Sequence, residues 1–172
     1  MILIILLCCF VTSFTYAQHE EEGHGNKNKN EHHHHHKHHI AIFNGAASNF
    51  THHHTHYSIG IDYEYRFGNF LGSGIIGEYV AIEKGEWLGG IPIFMHFTKG
   101  LKLVAAPLLV NRAEHHTHDN HHGETNRVTD FALRLGVSYS FHLGEFALSP
   151  SVNYDMGESN SLVYGLSIGI GF

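Results

Sequence analysis

Three stretches of the sequence alternate apolar and polar residues with a period of two rather than 3.6. In the first, Tyr57, Ile59, Ile61, Tyr63, Tyr65 and Phe67 are interleaved with Ser58, Gly60, Asp62, Glu64 and Arg66. In the second, Phe131, Leu133, Leu135, Val137, Tyr139 and Phe141 alternate with Ala132, Arg134, Gly136, Ser138 and Ser140. The third sets Leu162, Tyr164, Leu166, Ile168, Ile170 and Phe172 against Val163, Gly165, Ser167, Gly169 and Gly171. Such alternation marks a strand with one apolar face, and these runs are about twice as long as an ordinary globular strand. No stretch of comparable length carries a helical pattern. Dividing the chain at its turn signals predicts eight strands, near 39–50, 56–67, 70–82, 87–98, 101–112, 127–142, 146–156 and 161–172.

The predicted connections alternate in length. Gly68-Asn69, Lys99-Gly100 and Leu143-Gly144-Glu145 read as tight hairpin turns. Thr51 to Thr55, Glu83 to Glu86, Ala113 to Asn126 and Gly157 to Asn160 read as longer loops. An up-and-down barrel places all the tight turns at one end and all the long loops at the other. The first, third, fourth and fifth strands alternate less cleanly, and bulges are expected there.

Alternation does not say whether the apolar face points inward, as in a soluble lipocalin-like barrel with a hydrophobic ligand, or outward into lipid. Composition decides. Only 15% of residues are charged, against roughly 25% in soluble domains. The polar face is mostly Gly, Ser and Ala with a few charges of both signs, which suits a narrow eight-strand interior. Aromatic residues gather toward strand ends (Tyr63, Tyr65, Phe67, Tyr139, Phe141, Phe172), as in the interfacial girdles of membrane barrels. The expected fold is therefore all-β: an eight-stranded antiparallel up-and-down transmembrane β-barrel, with a disordered His-rich N-terminal tail.

The final strand, Leu162 to Phe172, ends in alternating apolar residues and Phe172. It resembles the C-terminal signal by which the outer-membrane assembly machinery recognises its clients. Residues from about Ile40 to Phe172 look like a small OmpA/OmpX-type outer-membrane barrel. Gly90-Ile91-Pro92-Ile93-Phe94 and Ala105-Ala106-Pro107 are similar to outer-membrane β-barrel domain proteins of Bacteroidetes. The resemblance implies a barrel embedded in the lipid of a Gram-negative outer membrane, and a monomer is expected. It implies no reaction, because fold alone does not specify function.

At the other end, Met1 to Phe10 (MILIILLCCF) is apolar and Thr15-Tyr16-Ala17 is a small-x-small pattern, so residues 1–17 read as a secretory signal peptide. No Lys or Arg precedes its apolar core. Cys8 and Cys9 both lie within it, leaving the mature chain without cysteine; a lipoprotein anchor at either is the rival reading. Residues 18–39 (QHEEEGHGNKNKNEHHHHHKHH) contain no apolar residue and form a natural tail that cannot bury a core. It is expected in the periplasm, ahead of a barrel over 40–172. The net charge of −6 and the absence of a Lys/Arg-rich patch exclude nucleic acid as a partner.

With the apolar stripe outward, Asp62, Glu64, Arg66, Glu78, His96, Asp130, Arg134 and His142 point inward and fill the lumen with paired charge. A gated ion path is the sharper alternative, and a wide pore is excluded by the strand number. Catalysis is not expected: His142 and Glu145 flank a tight turn, whereas Glu158, Ser159 and Ser161 lie at the long-loop end.

The remaining chemistry is histidine. The chain has 20, most of them in three clusters. The tail carries His19, His24, His32, His33, His34, His35, His36, His38 and His39. The first long loop carries His52, His53, His54 and His56; the third carries His115, His116, His118, His121 and His122 beside Glu114, Asp119 and Glu124. Imidazole is the preferred neutral ligand for Zn, Cu and Ni. These clusters, from His32 onward, are therefore the expected metal ligands, with no cofactor required. No zinc-finger or His-Glu-x-x-His spacing is present. Solvated loops that chelate opportunistically, or that respond to acid by protonation, are the alternatives.

Overall fold

The computed structural model describes residues 37–50, 53–98, 100–113 and 127–172. The expected export signal, residues 18–36 of the expected tail including His32 to His36, and His52, His115, His116, His118, His121 and His122 lie outside the described residues. Ten strands are formed: β1 (His38–Asn49), β2 (His54–Arg66), β3 (Leu71–Val80), β4 (Glu86–Gly90), β5 (Ile93–His96), β6 (Leu101–Ala113), β7 (Arg127–Tyr139), β8 (Phe141–Leu143), β9 (Phe146–Met156) and β10 (Ser161–Gly171). They make eight staves, because β4 and β5 continue one another, as do β7 and β8.

All pairings are antiparallel between chain neighbours, and β10 pairs with both β9 and β1, which closes the sheet. The seam is bonded to its end: His38 and Phe172 exchange backbone hydrogen bonds of 2.9 and 3.1 Å. Closure removes the open edges that a bilayer cannot tolerate.

The bulges expected from irregular alternation do not occur; each pairing holds a single register. Ser73 faces Ile93 and Ile76 faces Gly90, one unbroken alignment across the gap between β4 and β5. The interruption there is Pro92, which has no N–H to give the ladder. Irregular hydropathy in these staves instead reflects apolar residues on the inner wall, such as Phe43, Ile76, Leu88 and Leu108.

The registers also set the tilt. From His39 they lead through Glu64 and Gly74, past Pro92, to Ala106, Arg134, Asp155 and Ser161. They return to Asn49, ten residues up the starting strand. With a rise of about 3.3 Å per residue and a strand spacing of about 4.8 Å, this stagger tilts eight staves by about 40°.

Tyr57, Ile59, Ile61, Ile75, Trp87, Leu109, Phe131, Leu135 and Ile168 are exposed on the outer face. Between Phe131 and Tyr139 that face is apolar over about 20 Å along the barrel axis, close to the band of a membrane barrel. Aromatic contacts rim it at the tight-turn end, with Tyr65 on Phe67, Phe70 on Phe97 and Tyr139 on Phe141. Tyr79–Trp87 and Phe50–Tyr154 rim the other end. Asn44, an amide on this face, donates to the Tyr57 hydroxyl at 2.7 Å.

Candidate functional site

The inner wall carries three layers of charge. In the central layer, Arg134 on β7 donates from Nε and Nη2 to both carboxylate oxygens of Asp155, at 2.6 and 2.7 Å. Asp155 is its register neighbour on β9. Its neighbour on the other side is Ala106, small and fully buried, which leaves room for the guanidinium. The Nη1 reaches across the lumen to Glu78 on β3, at 2.6 Å. Glu78 also accepts from the Ser58 hydroxyl at 2.5 Å. All four residues are buried.

The second layer lies toward the tight turns around Glu64, which is 1% exposed. His96 donates to Glu64 Oε1 at 2.5 Å, Lys102 Nζ lies 3.3 Å from Oε2, and Arg66 Nε lies 3.2 Å from Oε1. His96 and Lys102 are register neighbours on β5 and β6, so both reach the same carboxylate. Lys102 Nζ also sits 4.6 Å from the centre of the Phe94 ring, a favourable cation–π position. Gly72 makes this possible: a Cβ there would stand 2.8 Å from Glu64 Oε1. Between the two layers, Asp62, Lys102, Arg134 and Ser138 border a cavity of about 50 Å³.

The third layer lies at the long-loop end. Arg112 on β6 pairs with Asp130 at 2.6 Å and with Glu158, and donates to Ser159 Oγ at 3.0 Å. It thereby ties the 157–160 loop to the wall. Above it opens a basin of about 570 Å³ whose wall includes His54, His56, Glu83, Glu86, Arg112 and Glu158.

The eight charges expected inside are all on the inner face, with His142 exposed at its rim. Sequence reasoning missed Lys102, Asp155, Arg112 and the inward His39. Asp155 was legible, since Ser149, Ser151, Asn153 and Asp155 alternate with Leu148, Pro150, Val152 and Tyr154. His142 and Glu145 stand at the opposite end of the barrel from Glu158 and Ser159, so these polar groups do not converge.

The described histidines behave differently from one another. His38 and His39, expected in the tail, belong to β1 and point to opposite faces of the wall. His38 Nδ1 shares a 2.8 Å hydrogen bond with the Tyr63 hydroxyl, and its ring stacks on Phe172 with centroids 5.4 Å apart. His39 faces inward, bordering the luminal cavity, and lies against Gly169. His53 is in the turn before β2, with φ of 54°. His54 and His56 share the inner face of β2, ring centroids 6.1 Å apart. Among the described residues, no group of three or more His, Cys, Asp or Glu is arranged to hold a metal ion.

Neither a protein-family model nor a curated protein matches the sequence. Solved structures do match. The N-terminal β-barrel domain of Pseudomonas aeruginosa OprF is 16% identical, with TM-score 0.60, covering 78% of this chain and 97% of that one. Neisserial surface protein A is 15% identical, with TM-score 0.57 and coverages of 78% and 96%. Ail, the attachment invasion locus protein of Yersinia pestis, is 13% identical, with TM-score 0.53 and coverages of 78% and 97%. The chain has the fold of the small eight-stranded outer-membrane barrels.

Proposed function

We propose that this chain is an integral outer-membrane barrel that works at its ends, not through its lumen. The long loops face outside, and the tight turns, both barrel termini and the tail face the periplasm. In this reading the His-rich loops and tail bind divalent transition-metal ions (Zn, Cu or Ni), for capture, buffering or sensing. The observation that carries it is the division of the molecule. The outer face is apolar, the lumen is filled by ion-paired layers, and in the sequence most histidines fall in the segment before β1 and in the segments joining β1 to β2 and β6 to β7. A soluble barrel with an apolar ligand inside does not fit charges stacked through its centre. An adhesive role without metal is the reading to be excluded by experiment.

Cell fractionation, with heated and unheated samples compared on a denaturing gel, tests the location. A soluble periplasmic pool with no heat-dependent mobility change overturns the membrane assignment. Calorimetric titration of Zn, Cu and Ni into the detergent-folded chain tests the chemistry. Deleting residues 115–122 is expected to remove binding equivalents; unchanged stoichiometry and affinity would remove the third loop from the proposal.

A further inference from the structure

The inner face of β2 at the basin carries the sequence His54-Thr55-His56. On a strand, residues i and i+2 project from the same face about 6.6 Å apart. The two rings are spaced accordingly, with centroids 6.1 Å apart and planes inclined by 59°. Two imidazole nitrogens bound to one ion at about 2.0 Å, in adjacent positions of a square-planar shell, lie about 2.9 Å from each other, so the rings must converge by side-chain rotation. Among the described residues neither ring is held by a hydrogen bond or ion pair, His54 is exposed and His56 is half-buried. Across the β1 pairing, His56 faces Ala47, a side chain too small to pin it.

The contrast with His38 and His39 is informative. Those two are adjacent in sequence, yet the pleat sends them to opposite faces, one bonded to Tyr63 and the other walled in. His54 and His56 are the described pair that shares a face, lacks other partners and opens on solvent. The same basin is lined by the carboxylates Glu83, Glu86, Asp130, Asp155 and Glu158 against the cations Lys84 and Arg112, so acidic groups outnumber basic ones. The net negative charge favours a cation there.

We infer that His54 and His56 form a two-imidazole chelate for Cu²⁺ in the wall of the basin. This rests on the metal-binding reading above and names a site and an ion for it. Two nitrogens from one strand occupy adjacent positions of the square-planar or tetragonal shell that Cu²⁺ prefers, and Cu²⁺ binds nitrogen sites most tightly among these ions. Water completes the shell, so the ion exchanges readily, which suits capture rather than structural support.

The test uses the full chain folded in detergent micelles, with backbone amide NMR during addition of sub-stoichiometric Cu²⁺. Paramagnetic broadening is expected at residues 53–57 of β2 and at Ala47 to Asn49 across the pairing. His54→Gln or His56→Gln alone should each require about tenfold more Cu²⁺ for the same broadening, because the second imidazole acts at high effective concentration. Unchanged broadening in either single variant overturns the chelate. If Cu²⁺ binds elsewhere and residues 53–57 stay sharp, the site is wrong while the wider metal reading survives. If the folded chain binds no Cu²⁺, Ni²⁺ or Zn²⁺ at all, both fail.

Discussion

The guanidinium of Arg134 gives two donors to Asp155 and one to Glu78, and Ser58 supports Glu78 from behind. Truncating the arginine leaves two buried carboxylates facing each other without a cation. Arg134→Ala is therefore expected to cost about 3–5 kcal/mol. Adding Glu78→Gln and Asp155→Asn to that variant should restore most of the loss, since no uncompensated charge remains. Arg112 provides the comparison. Its partners Asp130 and Glu158 are 23% and 71% exposed, so both stay solvated and Arg112→Ala should cost only about 1 kcal/mol. Equilibrium urea unfolding in lipid, followed by the fluorescence of the single tryptophan, Trp87, measures all three. Equal losses for Arg134→Ala and Arg112→Ala would show that burial does not govern these pairs.

At the scale of the stave, the face presented to lipid can be tested directly. Leu135 sits midway along the outer face of β7, between Phe131 and Tyr139. Leu135→Arg should destabilise the bilayer-embedded barrel by about 2–4 kcal/mol; a neutral effect would mean that this face meets water. The closing pair β1–β10 offers a steric test. Gly45 faces Gly165 across the seam, and the Phe43 ring covers both from inside. A Cβ on Gly165 would stand 2.6 Å from Gly45 Cα and 2.7 Å from the Phe43 ring. Gly165→Ala should cost about 1–3 kcal/mol through overpacking. Gly144 has open space around it but a φ of +68°, so Gly144→Ala should cost about 1–2 kcal/mol through the backbone alone. Thermal unfolding separates them by context: widening the packing with Phe43→Leu should relieve Gly165→Ala and leave Gly144→Ala unchanged. The staves β2, β7 and β10 were legible because a lipid-facing strand must alternate strictly. The β4–β5 stave was legible as the strand expected near 87–98, but its interior was not: Pro92 breaks the ladder without shifting the register, and buried apolar residues on its inner face blur the period.

Across the whole molecule, what one sequence leaves unwritten is which inner residue meets which. Arg134 and Glu78 are 56 positions apart, and their meeting depends on every register between them and on the ten-residue stagger of the closed sheet. For the same reason the histidine clusters were visible as composition, while the separation of His38 from His39 and the pairing of His54 with His56 required the pleat and the strand ends. The registers also decide what the barrel can pass. Moving from the long-loop basin toward the tight turns, a solute meets Arg134 joined to Glu78 across the lumen. It next meets Glu64 held by Arg66, His96 and Lys102. Four inner carboxylates (Asp62, Glu64, Glu78 and Asp155) stand with three permanent cations and His96, so opening either layer strands buried charge. The space left between the layers, about 50 Å³, is of the order of one or two water molecules. Proteoliposomes containing the folded barrel should therefore not swell in isosmotic arabinose. Swelling at a porin-like rate would show that the ionic layers part in the membrane, and would move the functional site from the ends of the barrel to its lumen.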